Sequence, residues 1–222
     1  MAIAFDAATS GGYVTSTSMT YSHTVGAGGS NRLLVVGVDV FNSADTVTGI
    51  TYAGISLTKI VHITSSGNSV TNHLYYLLNP ATGANNVVVS LSVSNNVASG
   101  CASYTGIKQS GQPDSSATAQ KDGGEMTFTT TTVADNSWTV LWVGHLGTVA
   151  YTPGAGTTER VEPVFASLND SNAAITPAGS SNLITTAVTD AGQYSGVIAS
   201  FAPAVAVAVG ANSLLSLMGV GN

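Results

Sequence analysis

The chain has 222 residues, and only 16 are charged, where an ordinary soluble domain carries about a quarter. A hydrophobic share of 44 % excludes disorder by composition. The five Lys and Arg stand singly in a chain of net charge −6, which argues against nucleic acid as a direct partner. One cysteine excludes an internal disulfide framework.

The opening, Met-Ala-Ile-Ala-Phe-Asp, has neither the basic stretch nor the apolar core of a secretory leader. The expectation is a chain made in a cytosol, with Cys101 a buried thiol in a strand-like run. From there the pattern is one of strands. Residues 32–41 are almost continuously apolar, as a central strand between two layers would be. Residues 47–52 and 55–63, joined at Ala53-Gly54, read as a hairpin. Residues 73–78 stop at Asn79-Pro80, and the cluster around 83–86 reads as a loop. Residues 87–93 and 101–107 are two further strands.

Residues 110–116 and 121–124 read as polar loops. Residues 126–133 are a Thr-rich strand with one hydroxyl face. Residues 137–144 are strongly apolar and hold Trp138 and Trp142, four apart and so on one face. Strands follow near 158–166, 182–189 and 194–201. No amphipathic helical stretch of useful length occurs. The expected fold is all-β, a single antiparallel β-sandwich of jelly-roll type over residues 1–202.

Residues 203–222 form an apolar C-terminal arm. No charged residue lies between Phe201 and Asn222. Its first half alternates Val with Ala and presents Val205, Val207 and Val209 on one face. Its second half is a small apolar plug of Leu214, Leu215, Leu217 and Met218. Pro203, Gly210 and Asn212 interrupt it, and no basic residues flank it, so a membrane span is not expected.

Several segments together resemble a recurrent β-sandwich domain found in tailed-bacteriophage virion proteins and in bacterial surface proteins. They are the first ten residues, Tyr21-Ser-His-Thr-Val, Asn31-Arg-Leu-Leu-Val-Val-Gly-Val, residues 47–58, Leu74-Tyr-Tyr-Leu-Leu-Asn-Pro, Asn86-Val-Val-Val-Ser, Tyr104-Thr-Gly-Ile and Gly196-Val-Ile-Ala-Ser-Phe. The resemblance covers about residues 1–202 and leaves out the arm. It implies a virion structural protein, with other virion proteins such as the major capsid protein, and further copies of itself, as partners. It also implies a chain made in the host cytoplasm and residing in the virion. A capsid decoration or cement role fits it best, with a glycan- or receptor-binding module of a fibre or surface protein as the alternative.

Chemistry is sparse in the sequence. His23, His62, His73 and His145 lack the spacing of a metal site, and no cofactor is expected. His62 and His73 could face each other on neighbouring strands, although unrelated positions are the simpler reading. No nucleophile elbow is present. Glu159 and Glu162 read as a solvated loop, and Asp122 and Asp170 as surface-loop carboxylates, so no enzyme is expected. For the glycan alternative, Tyr75, Tyr151 and Tyr194 are the candidate stacking rings, with Tyr13 near a loop. Tyr75 and Tyr76 place one ring on each sheet face.

Overall fold

The computed structural model describes residues 1–65, 67, 70–122, 125–145, 150–179, 181–188 and 193–205; for Asp122 and 181–188 it describes the backbone alone. The described residues form strands and no helix, and none of their segments is a helix long and apolar enough to cross a membrane. In chain order the strands are β1 (Ala4–Val25), β2 (Leu33–Val40), β3 (Val47–Tyr52), β4 (Ile55–Ser56), β5 (Thr58–Thr64), β6 (Thr71–Leu78), β7 (Gly83–Thr105), β8 (Ser115–Asp122), β9 (Met126–Thr131), β10 (Trp138–His145), β11 (Tyr151–Pro153), β12 (Thr158–Val161), β13 (Ala166–Asp170), β14 (Ser181–Val188) and β15 (Gln193–Phe201). All their pairings are antiparallel.

A long ribbon organises the first half. β1 pairs with β7 from Ala4↔Thr105 to Val25↔Gly83, with register shifts at Phe5/Ala7, Ser10/Gly12 and Ser16/Ser18. Each shift is a bulge that bends and twists the ribbon. Along its other edge β7 pairs with β3 (Val87 to Leu91) and with β2 (Val97 to Tyr104). The path β4-β3-β7-β2-β6-β5 therefore curls into a nearly closed, barrel-like sheet. A second sheet runs β12-β13-β10-β15-β8, and a third runs β11-β14-β9.

Period-2 alternation distributes side chains among three cores. On β2, Leu34, Val36, Val38 and Val40 join Ile50, Tyr52, Val87 and Val89 inside the barrel. Leu33 and Val35 point the other way and meet Val140, Trp142, Leu168 and Val197 of the second sheet. On β10, Leu141 and Val143 turn from that interface to pack with Phe128, Tyr151 and Ile198 under the third sheet. β2 and β10 are buried at every position because each is covered on both faces. Six apolar side chains on β2 alone contribute on the order of 10 kcal/mol of transfer free energy.

The expected central strand and the shared face of Trp138 and Trp142 are present. The expected 47–63 hairpin holds only at its tip, where Thr51 and Tyr52 pair with Ser56 and Ile55; residues 58–64 leave it as β5 and pair with β6. The hairpin turn has φ 51° at Ala53 and 78° at Gly54, the left-handed pair that matches strand twist. Other expectations are corrected. The loop around 83–86 and the strands at 87–93 and 101–107 are one continuous strand, β7. The expected polar loops at 110–116 and 121–124 give way in part to β8, an edge strand on β15. The segment 158–166 divides into β12, a turn and the start of β13.

Candidate functional site

The barrel is not closed between its β3–β4 end and its β5–β6 end. There the surface holds a groove of about 560 Å³ lined by Thr48, Thr51, Ser56, Leu57, Lys59 and Tyr75 among others. Asp45, just before β3, reaches across this seam. Its Oδ2 pairs with Lys59 Nζ and lies 3.8 Å from His62 Nδ1, both on β5; its Oδ1 lies 2.9 Å from His73 Nε2 on β6. A carboxylate only accepts, so the His73 Nε2–H donates. The β5–β6 register pairs His62 with His73, and their rings stack at 5.5 Å. The simpler reading of unrelated positions is thus overturned: the register brings the two histidines together on one carboxylate.

Burial lowers His73 to about 4, against the opposing pull of Asp45. For Asp45, burial works upward, but hydrogen bonds from Lys59 and His73 outweigh it and bring the carboxyl to about 2. Both folded values lie below the ordinary ones. The folded state therefore resists protonation, and the stability these groups confer is complete above the ordinary His range. It falls as pH drops from about 6.5 toward about 4 through His73, and further below about 3.8 through Asp45. Thermal melts across this range are expected to show an acid limb that His73→Gln flattens. Superimposable profiles for the two proteins would show that the His73–Asp45 pair does not act as a latch across the seam.

The arm leaves from a fixed root. The Lys108 N–H donates to Ala202 O at 2.9 Å, Pro203 bridges to Ile107, the Ala204 N–H donates to Gly106 O at 2.7 Å, and the Met1 amine donates to Ala204 O at 2.7 Å. Pro203 and Ala204 are thus bound to the body. The next residue, Val205, is 81 % exposed. Beside this root lies a mainly apolar pocket of about 350 Å³ whose walls include Met1, Ile3, Trp138, Ala174 and Pro203. The other expected arm positions, Val207, Val209, Leu214, Leu215, Leu217 and Met218, lie outside the described residues.

The rings expected to stack on sugars are packed inside. Tyr75 (4 % exposed) lies in the barrel core, and Tyr151 (5 %) and Tyr194 (0 %) under the third sheet. Each offers the strand face that its register turns inward, and Tyr75 also lines the groove at the barrel seam. Tyr76 is half-buried against the second sheet, 6.3 Å from Phe201. The ring that does face solvent is Tyr13, 38 % exposed at a ribbon bulge. It packs edge-on with Phe41 (5.9 Å) and Phe165 (4.8 Å), and those two rings lie 5.1 Å apart. Residues so far apart in sequence meet only through the fold, and no local pattern announces them.

Other candidates also sit in structural roles. Asp170 is fully buried on β13, not in a surface loop; it accepts from Arg160 Nε at 2.7 Å and Tyr104 OH at 3.0 Å. Glu159 lies on β12 and accepts from Ser167 Oγ at 3.1 Å, while Glu162 accepts from the Tyr151 N–H at 3.0 Å. Only the backbone of Asp122 is described, on β8. His23 contacts Thr9 and Ser103, and His145 packs 4.4 Å from Tyr194. Cys101 is buried, and burial pushes its thiol up to about 12, far from a reactive thiolate. Among the described residues no group of three His, Cys, Asp or Glu is arranged to hold a metal.

Compared with known proteins, the chain matches no family model, no curated protein and no solved structure.

Proposed function

We propose that the chain is a structural subunit of a tailed-phage virion, a decoration or cement protein on the capsid, and that it acts through protein–protein contacts and not through catalysis. In this reading the body is a jelly-roll-type module. Its partners are the major capsid protein and further copies of the chain, and it resides in the virion after synthesis in the host cytoplasm. The observation that carries the reading is the arm root. A rigid body ends in a hydrogen-bonded clamp at Pro203 and Ala204, and an uncharged run of seventeen residues rich in Val, Leu and Ala follows the exposed Val205.

Such a run is costly to leave in water and favourable to bury on a neighbour. A surface of Ser and Thr also loses less side-chain entropy on permanent contact than one of Lys and Glu. Several weak arms acting together hold far more tightly than one. The resemblance noted in the sequence points the same way. The test is occupancy on purified particles that lack the protein. A chain ending at Val205 is expected to keep its melting temperature and lose attachment. Equal occupancy with and without residues 206–222 would reject the arm.

A second reading, glycan binding, is favoured by the Tyr13–Phe41–Phe165 cluster. Exposed aromatic faces suit sugar stacking, and the side-chain amides of Asn42 and Asn95 hydrogen-bond to each other next to Phe41 and on β7. This reading expects saturable polysaccharide binding that Tyr13→Ala abolishes. No binding across a polysaccharide array would dismiss it.

A further inference from the structure

Asp39 is fully buried between the barrel and the second sheet. Its position follows from strand register: odd-numbered residues of β2 face the second sheet. Oδ1 accepts from Trp142 Nε1–H at 2.6 Å, and Oδ2 has no hydrogen-bond partner. Across the β2–β6 ladder Asp39 pairs with Asn72. The Asn72 amide nitrogen donates to Ser195 Oγ at 2.6 Å, while its Oδ1 also lacks a partner.

The two partnerless oxygens converge over Gly144. A Cβ on that glycine would lie 1.7 Å from Asp39 Oδ2 and 2.4 Å from Asn72 Oδ1. Two buried acceptor oxygens this close repel each other, and each bears the cost of lost solvation. One proton between them turns the repulsion into a hydrogen bond. No Lys, Arg or His forms an ion pair with Asp39 among the described residues. The titratable group that senses it is the buried Tyr151 of β11, whose hydroxyl is pushed up by burial and then by Asp39.

We infer that Asp39 is a neutral carboxylic acid whose Oδ2–H donates to Asn72 Oδ1, completing a clasp from Trp142 through Asp39 and Asn72 to Ser195. Both ends of the clasp belong to the second sheet and its middle to the barrel, so it ties the two layers together. Burial pushes the Asp39 carboxyl well above the ordinary range, with the Trp142 bond pulling the other way. A raised folded value means that the clasp confers its full stability below the ordinary Asp range and loses it as pH rises toward the folded value. This dependence is opposite in sign to that of the His73–Asp45 latch.

Asparagine reproduces the neutral acid. Its Oδ1 accepts from Trp142, its Nδ2 donates to Asn72, and it has no proton to lose. The experiment follows the Asp39 side-chain carboxyl by ¹³C NMR in the full chain, assigned by its disappearance in Asp39→Asn, alongside thermal melts of both proteins. The carboxyl resonance is expected to stay at its protonated position well above the ordinary Asp value of about 3.9, where exposed aspartates are already ionised. Asp39→Asn is expected to melt no lower than the parent at about pH 8 and to lose the decline in stability with rising pH. A carboxyl at the ionised position at about pH 6 would overturn the inference, as would an Asp39→Asn protein with the parent's pH slope. Should the variant not fold, the resonance of the parent protein still decides.

Discussion

Trp142→Ala is expected to destabilise the protein by about 5 kcal/mol, enough to unfold a domain of ordinary stability. The indole is fully buried at the centre of the interface between the barrel and the second sheet. Truncating it leaves a large cavity, for which a buried Trp costs about 3–5 kcal/mol. It also strips Asp39 of its only side-chain donor among the described residues, and a buried polar group left unpaired adds about 1–3 kcal/mol. Trp138 shares the face but lies near the terminal pocket and donates to no buried carboxyl, so Trp138→Ala is the milder change. Denaturant melts of the two variants check this. A loss below about 2 kcal/mol for Trp142→Ala would mean that the two layers do not depend on the indole.

Gly37→Ala is expected to cost about 3 kcal/mol or more, although it adds a single methyl group. A Cβ at that position would lie 2.0 Å from Trp142 Cδ2 and 2.1 Å from Cε3. Neither partner can give way cheaply. β2 is paired on both edges, to β6 and β7, and the indole is held by Asp39 and packed on all sides. The glycine is there for close approach and not for an unusual backbone angle. Thermal melts that separate the two proteins by less than about 1 kcal/mol would show that the layers can slide apart to admit the methyl. Gly49→Ala, where a Cβ meets nothing within 4 Å, is the matched control and is expected to change little.

What the sequence revealed and what it hid divide along physical lines. β2 and β10 were legible because strands covered on both faces are apolar at nearly every position. Asp39 interrupts the β2 run, and its partner Trp142 lies 103 residues away, so nothing local marks the pair. β1 was not legible. Its burial is mostly intermediate or exposed, and Ser, Thr and Gly fill it; it is a strand because β7 pairs along its length, not because of its own periodicity. β8 was hidden in the same way, as a polar edge on β15.

The histidine pair and the tyrosines show the same limit. A meeting of His62 and His73 follows from the pattern only if their strands are neighbours; the register decides it, and Asp45 reaches them from a loop whose path no pattern gives. Tyr75, Tyr151 and Tyr194 looked available because an alternating strand turns one face outward. Here Tyr75 turns into the barrel core, while Tyr151 and Tyr194 lie where the second and third sheets pack together. Three rings from separate segments, Tyr13, Phe41 and Phe165, form the exposed aromatic cluster in their place.

The proposal of a subunit that works by adhering to its neighbours is tested most directly by sedimentation of the full chain and of a chain ending at Val205, each over a range of concentrations. The full chain is expected to associate with itself, while the shortened chain sediments as a folded monomer with an unchanged melting temperature. A full chain that stays monomeric at every concentration, indistinguishable from the shortened one, would contradict it.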